Sequence, residues 1–352
     1  MRKLASIQSV TSIEPIENAD AIERIRILGW WVVVKKGEFR LGDRVIYCEI
    51  DSLMPERPEF KFLRASSYKS AIEEAGQVVQ RPGFRIRTVK LRGQVSQGIC
   101  FPLTIMPGSE TRDIGTDVTE ELGVIKYELP LPAGTSGRVK GGFPAFLPKT
   151  DEIRVQVLEA LLQRHRGTTF YMTEKLDGTS FTAFLRQDEF GLCSRNQWLD
   201  ESDEGNSLVR LARQIDLAGK LRQIQQQHGF DPAVQGEVIG PGIQKNKYGL
   251  KGLELRIFNL VDIDGYRLVD RPLQHAALDA SGLSKVPELG ELVLNHSVDE
   301  LVALSIGTSI LNSKVQREGI VLRPLSEVFD QDVGGRLSFK VINPQFLLKF
   351  DE

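Results

Sequence analysis

The chain has 352 residues, of which 41% are hydrophobic and 26% charged, and its net charge is −2. Its length favours two domains, and its composition is ordinary for a globular protein. The sequence has no run of 18 apolar residues, so no membrane-spanning helix is expected. The net charge argues against a protein that wraps nucleic acid over a wide area, although it is compatible with a local basic groove.

The N-terminal residues lack the apolar stretch of a signal peptide, and three scattered cysteines have no paired spacing. This pattern argues against a disulfide framework and a cysteine zinc site, and it fits a reducing cytosol. We therefore expect a cytoplasmic protein. Nothing in the sequence indicates an obligate protein partner, so we expect a monomer.

The first 105 residues predict a compact β domain with turns at glycine and aspartate. The predicted strands cover residues 4–10, 22–28, 31–36, 44–50, 85–92 and 95–101. A set of short strands like this is typical of an OB-type barrel. We therefore predict an all-β nucleic-acid-binding module over residues 1–105.

Basic residues on this module are candidates for nucleic-acid contacts. The strand predicted at 85–92 alternates basic and apolar residues, which describes either a nucleic-acid groove or a solvated strand face. The candidates are Lys35, Lys36, Arg85 and Arg87. Trp30 and Trp31 offer a stacking platform, although one of two adjacent tryptophans on a strand normally points into the core.

Residues 106–148 are rich in proline and glycine, particularly at 130–137 and 141–144, and predict an inter-domain linker. Thr150 is then a suitable N-cap for a helix that continues to Leu162. From residue 149 to 352 the sequence predicts an α+β domain. Its strands are predicted at 169–186, 233–239, 253–263, 319–323 and 337–342, and its helices at 207–227, 272–281 and 298–312.

Lys175 follows an alternating run that begins at Phe170, and the turn Asp177-Gly178 follows the lysine. A lysine at a strand–turn junction is held by ordered elements yet faces a cleft, which suits a nucleophile. The alternative is an ordinary hairpin with an exposed lysine. Lys-x-Asp-Gly is a short motif that also occurs by chance, so its neighbours decide between the two.

Further motifs follow in order along the chain: Ser194-Arg195-Asn196, Gln235-Gly236-Glu237, Phe258, Glu318-Gly319-Ile320-Val321-Leu322-Arg323 and Lys340. With Lys175, this series closely resembles the covalent nucleotidyltransferase superfamily of RNA ligases, DNA ligases and mRNA capping enzymes. The resemblance covers about residues 149–350. It implies that the lysine amine attacks the α-phosphorus of a nucleoside triphosphate and that pyrophosphate leaves.

The resemblance also implies a role for each motif residue. Lys175 matches the nucleophile, and Lys340 would stabilise charge on the α-phosphate. Glu237 and Glu318 would hold Mg²⁺ or Mn²⁺, because carboxylates are the oxygen ligands that these ions take. Phe258 would stack on the base, Glu174 would help to read it, Arg195 would contact ribose or phosphate, and Arg154 would contact the triphosphate or the RNA phosphate. The full set assigned to the nucleotide is Glu174, Asp177, Gly178, Arg195, Glu237, Phe258, Glu318 and Arg154.

The last motif departs from the superfamily pattern. Two lysines often stand one residue apart there, but Ser338 occupies the earlier position in this chain. Either Arg336 or Lys349 takes over that contact, or one phosphate contact is missing.

Domain order separates the members of the superfamily. DNA ligases and capping enzymes carry an OB domain after the last motif, whereas here only a short tail follows Lys340 and the β domain comes first. This arrangement resembles ATP-dependent RNA ligases with an N-terminal OB module and a minimal C-terminal ligase domain, and residues 13–20 and 28–30 also look like that group's module.

The resemblance to that group implies a ligase that uses ATP to join 3′-hydroxyl and 5′-phosphate ends through a lysyl-AMP and an RNA-adenylate. The expected partner is RNA or an RNA-containing duplex with a 5′-phosphate break, and the expected activity is nick repair. The alternatives are a DNA ligase, a GTP-using capping-type enzyme, another ATP-using transferase that modifies a phosphate, and a non-catalytic OB nucleic-acid-binding protein.

Overall fold

A computed structural model of the chain describes residues 2–74, 77–128, 137–331 and 333–350. The chain forms two compact units. Within the described ranges, the first contains residues 2–128, 156–159 and 344–350, and the second contains 137–155, 160–331 and 333–343. The Pro- and Gly-rich residues 130–136, which the sequence assigns to the linker, lie outside the described residues.

The first unit consists mainly of short strands. They are β1 (Ala5–Pro15), β2 (Ile22–Ile27), β3 (Trp30–Lys35), β4 (Arg44–Cys48), β5 (Ser52–Met54), β6 (Tyr68–Lys69), β7 (Ile72–Glu74), β8 (Gln77–Gln80), β9 (Gly83–Arg85), β10 (Val89–Leu91), β11 (Gln94–Ser96), β12 (Ile99–Pro102) and β13 (Ile125–Lys126). They form sheets in the orders β12-β4-β1-β2-β3, β13-β5-β9-β6, β10-β11 and β7-β8. A helix α1 (Arg64–Ser67) and 3-10 turns at Pro58–Leu63, Leu103–Ile105 and Ser109–Thr111 also lie in this unit.

Alternating burial explains why β2 and β3 form where the sequence predicts them. Ile25, Ile27 and Trp30 are fully buried, whereas Trp31, which follows Trp30 on β3, is half-buried. The outer face of β2 brings Arg24 and Arg26 to within 4.2 and 5.0 Å of the Trp31 ring centroid. One tryptophan therefore packs in the core and the other is covered by cations.

The predicted strand at 85–92 is broken in the structure. β9 ends at Arg85 and β10 begins at Val89, in a different sheet. Arg85 is only 4% exposed, and its guanidinium lies 4.4 Å from the Tyr127 ring centroid and 3.8 Å from an oxygen of Asp51. Because this arginine is turned inward by an aromatic and a carboxylate, it does not present a nucleic-acid contact as the sequence suggested.

Residues 106–128, which the sequence places in the linker, belong to the first compact unit. Val118, Leu122 and Val124 pack into its hydrophobic core, and β13 pairs with β5. The prolines and glycines in this stretch shape turns over a core rather than an open connection.

The second unit contains the remaining strands: β14 (Val139–Gly142), β15 (Ile153–Arg154), β16 (Thr169–Lys175), β17 (Thr179–Arg186), β18 (Glu189–Cys193), β19 (Gln197–Leu199), β20 (Pro232–Ile239), β21 (Glu254–Asp262), β22 (Arg267–Leu268), β23 (Glu288–Val293), β24 (Gly319–Pro324), β25 (Phe329–Asp330), β26 (Gly335–Arg336) and β27 (Phe339–Ile342). They form a seven-stranded sheet, β14-β19-β18-β17-β20-β21-β22, a five-stranded sheet, β15-β27-β24-β16-β23, and the pair β25-β26. All pairings are antiparallel except β15 with β27.

The remaining helices are α2 (Glu159–Arg164), α3 (Ser207–Gln214), α4 (Leu217–His228), α5 (Arg271–Ala280), α6 (Val298–Ser305) and α7 (Pro344–Phe350), with 3-10 turns at Val155–Val157 and Gln244–Asn246. Leu221 and Ile224 of α4 pack with Phe181 and Ala183 of β17 in one core cluster. None of the described helices is long and apolar enough to cross a membrane.

Three predicted helices differ in the structure. The helix predicted from Thr150 is an extended segment, because Ile153 and Arg154 pair with β27, and α2 begins only at Glu159. The helix predicted at 207–227 is split at Asp216, whose positive φ of 49° ends one helix and whose side chain caps the next. The third, predicted at 298–312, ends at Ser305.

Candidate active site

Lys175 is the last residue of β16 and pairs with Gly319 at the start of β24. This register brings the lysine beside Glu318, and its Nζ donates to Glu318 Oε2 at 2.6 Å. The two side chains are 26% and 13% exposed, so the pair is partly open to solvent. The structure thus combines two residues that lie far apart in the sequence.

Two glycines allow this close approach of strands. A Cβ on Gly178 would lie 2.4 Å from the Val238 carbonyl oxygen and 2.8 Å from Glu237 Cγ. A Cβ on Gly319 would lie 2.2 Å from the Val341 carbonyl oxygen. Both contacts are with fixed backbone atoms, so the motif glycines are required by packing.

The turn after Lys175 is held by a loop that the sequence did not single out. The amide of Asp177 donates to Tyr248 Oη at 2.7 Å, and the Asp177 carboxylate forms an ion pair with Lys247. Both charged side chains are nearly buried, at 7% and 6% exposure. No spacing rule pointed to this loop, which begins with a 3-10 turn whose residues 244–246 all have positive φ values.

Glu237 lies on β20, opposite Ser180 of β17. Burial raises the pKa of Glu237 to about 8, with a further contribution from the negative Glu318 and Asp177, although Lys175 lowers it. Burial alone lowers the pKa of Lys175, but Glu318 and Glu237 outweigh this effect and leave that pKa above its ordinary value. The lysine is therefore an ammonium ion among crowded carboxylates.

Such a carboxylate group fits a divalent cation. Mg²⁺ and Mn²⁺ prefer oxygen ligands and commonly keep several waters. In the described part of the chain no group of three or more His, Cys, Asp or Glu side chains is arranged to hold a metal ion. An ion on Glu237 and Glu318 would therefore complete its shell with water or phosphate oxygens.

An apolar cluster includes Leu176, the residue that follows Lys175. Phe258 packs against a cluster that contains Leu176, Ile239, Tyr248 and Val286. The half-buried ring leaves an aromatic surface at the edge of this cluster.

Glu174 is 1% exposed, and its Oε2 accepts from the Ile310 amide at 2.8 Å. Its other oxygen, Oε1, is buried and receives no hydrogen bond from the described residues. Burial raises the pKa of Glu174. A buried acceptor without a donor fits the exocyclic amine of a base.

Arg154 and Lys340 lie side by side, since β15 pairs with β27 in this register. Lys340 is opposite Val321, and Val321 is opposite Thr173, two residues before Lys175. Because paired residues share a face of the sheet, the predicted phosphate-binding cations lie on the same face as the lysine.

Arg195 follows β18 and is exposed, with Nη2 2.5 Å from Asp151 Oδ1. The Lys149 amine donates to the Arg195 carbonyl oxygen at 3.3 Å. Arg195 is thus held by residues of the segment 149–151, and its side chain remains open to solvent.

Arg336, one of the two residues that the sequence offers in place of the missing motif lysine, is committed to other partners. Its guanidinium donates to Glu152 Oε1 at 2.7 Å and to Asn259 Oδ1 at 3.0 Å. Ser338 is 3% exposed. Lys349 lies on α7, which belongs to the first unit.

The candidate nucleic-acid residues of the OB-type module lie in the first unit. Lys35 and Lys36 are exposed at the end of β3, Arg87 is half-buried between β9 and β10, and Arg85 is buried. Only the two lysines match the exposure expected of a phosphate contact.

Known proteins similar to the chain agree with both parts of this architecture. A family profile described as an OB-fold domain matches residues 4–103, and one described as RNA ligase matches residues 168–342. No curated protein matched the chain. The first match confirms the predicted OB-type fold of the N-terminal residues.

Solved structures of Naegleria gruberi RNA ligase are similar over the whole chain. The structure with PPi is 37% identical, covers 99% of this chain and 98% of its own, and has a TM-score of 0.86. A glutamate-to-alanine mutant with ATP and Mn is 36% identical, covers 100% of both chains and has a TM-score of 0.88. A lysine-to-methionine mutant with AMP and Mn is 36% identical, covers 98% of both chains and has a TM-score of 0.86.

Proposed function

The chain belongs to the RNA ligase family, and from that premise we propose that it uses ATP to join the 3′-hydroxyl and 5′-phosphate ends of broken RNA. The observation that carries this proposal is the Lys175 amine 2.6 Å from Glu318, on the same sheet face as Lys340 and Arg154. A nucleophile, a carboxylate pair and two phosphate-directed cations are the groups that transfer of a nucleotide requires.

ATP as the nucleotide is supported by Phe258 and Glu174 and by two of the Naegleria structures, which carry ATP or AMP with Mn. Phe258 offers a ring for stacking on the purine. The buried Glu174 Oε1 offers an acceptor to an amino group, which adenine carries at its exocyclic position.

Glu237 and Glu318 would hold the divalent cation. When bound, that ion supplies positive charge that favours the neutral form of the Lys175 amine. Because the ion would neutralise the charge of Glu318 and Glu237, these carboxylates would no longer raise the pKa of Lys175. Lys340 and Arg154 would bind the phosphates and orient the α-phosphorus toward Lys175.

The reaction has three balanced steps. Lys175 Nζ loses a proton and bonds to the α-phosphorus of ATP, and pyrophosphate leaves. An oxygen of the RNA 5′-phosphate then bonds to the same phosphorus, which releases the lysine and gives an RNA-adenylate. The 3′-hydroxyl oxygen finally attacks the RNA phosphorus, its proton is lost, and AMP leaves.

Covalent labelling tests the first step. The protein is incubated with Mg²⁺ or Mn²⁺ and either α-³²P-ATP or α-³²P-GTP, and the labelled band is followed. We expect a band with ATP that is lost in Lys175→Ala and kept in Lys247→Arg. A label that survives Lys175→Ala, or none in the wild type, contradicts the mechanism, and a preference for GTP favours a capping-type enzyme.

Nicked duplexes with RNA or DNA on each side of the break test the substrate. We propose repair of nicks in which RNA supplies the 3′-hydroxyl, so sealing is expected when the last nucleotides on that side are RNA. Equal rates on all-DNA nicks contradict an RNA ligase. Labelling without any sealing indicates another ATP-using transferase.

A further inference from the structure

A surface of three cation–aromatic pairs lies outside the nucleotide site. The Lys140 amine is 5.4 Å from the Trp198 ring centroid, the Lys149 amine is 4.2 Å from that of Phe143, and the Arg186 guanidinium is 4.4 Å from that of Phe146. We call these six residues the cation–aromatic surface. Phe146 and Trp198 pack edge to face at 6.5 Å, so the pairs are contiguous.

This surface lies on the active-site face of the seven-stranded sheet. Along β17, Ser180, Phe184 and Arg186 point to one face, and Ser180 is opposite Glu237. Phe184 packs with Phe146 at 5.1 Å. The helices α3 and α4 cover the other face. The pairs therefore extend the face that carries the Glu237 carboxylate.

Hydrogen bonds connect the surface to the lysine turn. The Phe143 amide donates to the Asn196 carbonyl at 2.9 Å, and Lys149 contacts the Arg195 carbonyl at 3.3 Å. The hydroxyls of Thr150 and Ser180 lie 3.2 Å apart, and Ser180 follows Gly178 closely in sequence. These contacts join the surface to β17, the strand that follows the lysine turn.

Charge and openness favour a polyanion. Lys140 forms an ion pair with Glu201, but Lys149 and Arg186 form no ion pair with the carboxylates of the described residues. The edge strand β14 is exposed throughout, and a Cβ on Gly141 or Gly142 would meet nothing within 4 Å. Exposed cations on an open surface bind a nucleic-acid backbone through phosphate contacts.

From these features we propose that the cation–aromatic surface binds the sugar–phosphate backbone of the RNA next to the break. This inference rests on the proposed function and identifies where its RNA substrate lies. Lys140, Lys149 and Arg186 contact phosphates, and the rings of Phe143, Phe146 and Trp198 hold those cations in place.

The test compares two double variants. Lys140→Ala with Arg186→Ala removes two cations from the surface, and Lys220→Ala with Arg222→Ala removes two from α4 on the opposite sheet face. Binding of a nicked RNA duplex is measured across salt concentrations, and sealing of a preadenylylated nick is measured at low RNA concentration. AMP labelling of the protein and thermal unfolding are followed in parallel.

We expect the surface variant to bind about fivefold to tenfold more weakly, with a slope of log affinity against log salt shallower by about 1.5. Its sealing slows while its AMP labelling and melting temperature match the α4 variant. If it unfolds, Lys140→Gln with Arg186→Gln keeps the side-chain stems over the rings. If the surface variant has the same RNA affinity and salt slope as the α4 variant, the inference is wrong. In that case a wild-type protein that becomes labelled with AMP and seals the nick still supports the proposed function.

Discussion

Replacing Glu152 by glutamine tests the ion-pair network that joins Glu152 to Arg323 and Arg336. Glu152 Oε1 accepts from Arg323 at 2.9 Å and from Arg336 at 2.7 Å. The three side chains are 10%, 4% and 19% exposed. Glutamine has nearly the same shape but no charge, so the change leaves two buried guanidinium groups without their anion.

The pKa of Glu152 sets the magnitude. Burial alone raises this pKa, but Arg336 and Arg323 outweigh burial and lower it to about 2. Against an unfolded value of about 4.3, this difference corresponds to roughly 3 kcal/mol of folding free energy. For a unit of this size we expect Glu152→Gln to lower the melting temperature by about 6–12 °C.

The assay is thermal and urea unfolding at neutral pH and along an acid series. A carboxyl with a lowered folded pKa stabilises the fold fully above its unfolded pKa, and this stabilisation is lost as the pH falls through about 4.3 toward 2. Between about pH 4.3 and pH 2, the free energy of unfolding should therefore decrease less steeply with falling pH in Glu152→Gln than in the wild type.

Asp151→Asn is the matched control. Like Glu152, Asp151 forms an ion pair with an arginine, in this case Arg195, but its side chain is 59% exposed. Its replacement should therefore lower the free energy of unfolding by less than about 1 kcal/mol. A Glu152→Gln variant that unfolds within about 1 kcal/mol of the wild type would show that the network does not stabilise the unit, and the reasoning above would be refuted.

Three further changes test the site. Gly178→Ala forces a Cβ against the Val238 carbonyl, so we expect a loss of about 1–3 kcal/mol in urea unfolding and at least about tenfold slower AMP labelling. Lys247→Met removes the cation of the buried Lys247–Asp177 ion pair and should lower the free energy of unfolding by about 3–5 kcal/mol in urea. Adding Asp177→Asn to that variant should restore most of this loss, and losses that simply add would exclude a direct coupling of the two side chains. Phe258→Ala should raise the KM for ATP in labelling about tenfold through lost stacking, and an unchanged KM would exclude base contact.

Local patterns in the sequence were sufficient for several elements. Alternation of apolar residues located β2, because a sheet with one buried face imposes a period of two. The apolar runs of β4 and β20 were also predicted as strands, and both are buried on two faces. Where burial did not follow the local pattern, the predictions were wrong. Arg85 was expected on a basic face but turned inward to Asp51 and Tyr127.

The segment 150–155 shows the same limit for helices. Its N-cap and acidic residues favour a helix, yet pairing with β27 and the ion pairs of Glu152 hold it extended. Those partners lie more than 170 residues away along the chain, so local propensity contained no information about them.

The sequence by itself was sufficient to predict Lys175 as the nucleophile and to place its companion motifs in order, because residue type and order along the chain carry that information. Only the tertiary structure decided which groups meet. Register in the five-stranded sheet brought Glu318 to Lys175 and Arg154 to Lys340. Lys247 reached Asp177 from a loop 70 residues away, since buried charges are paired by proximity in space and not by spacing in sequence.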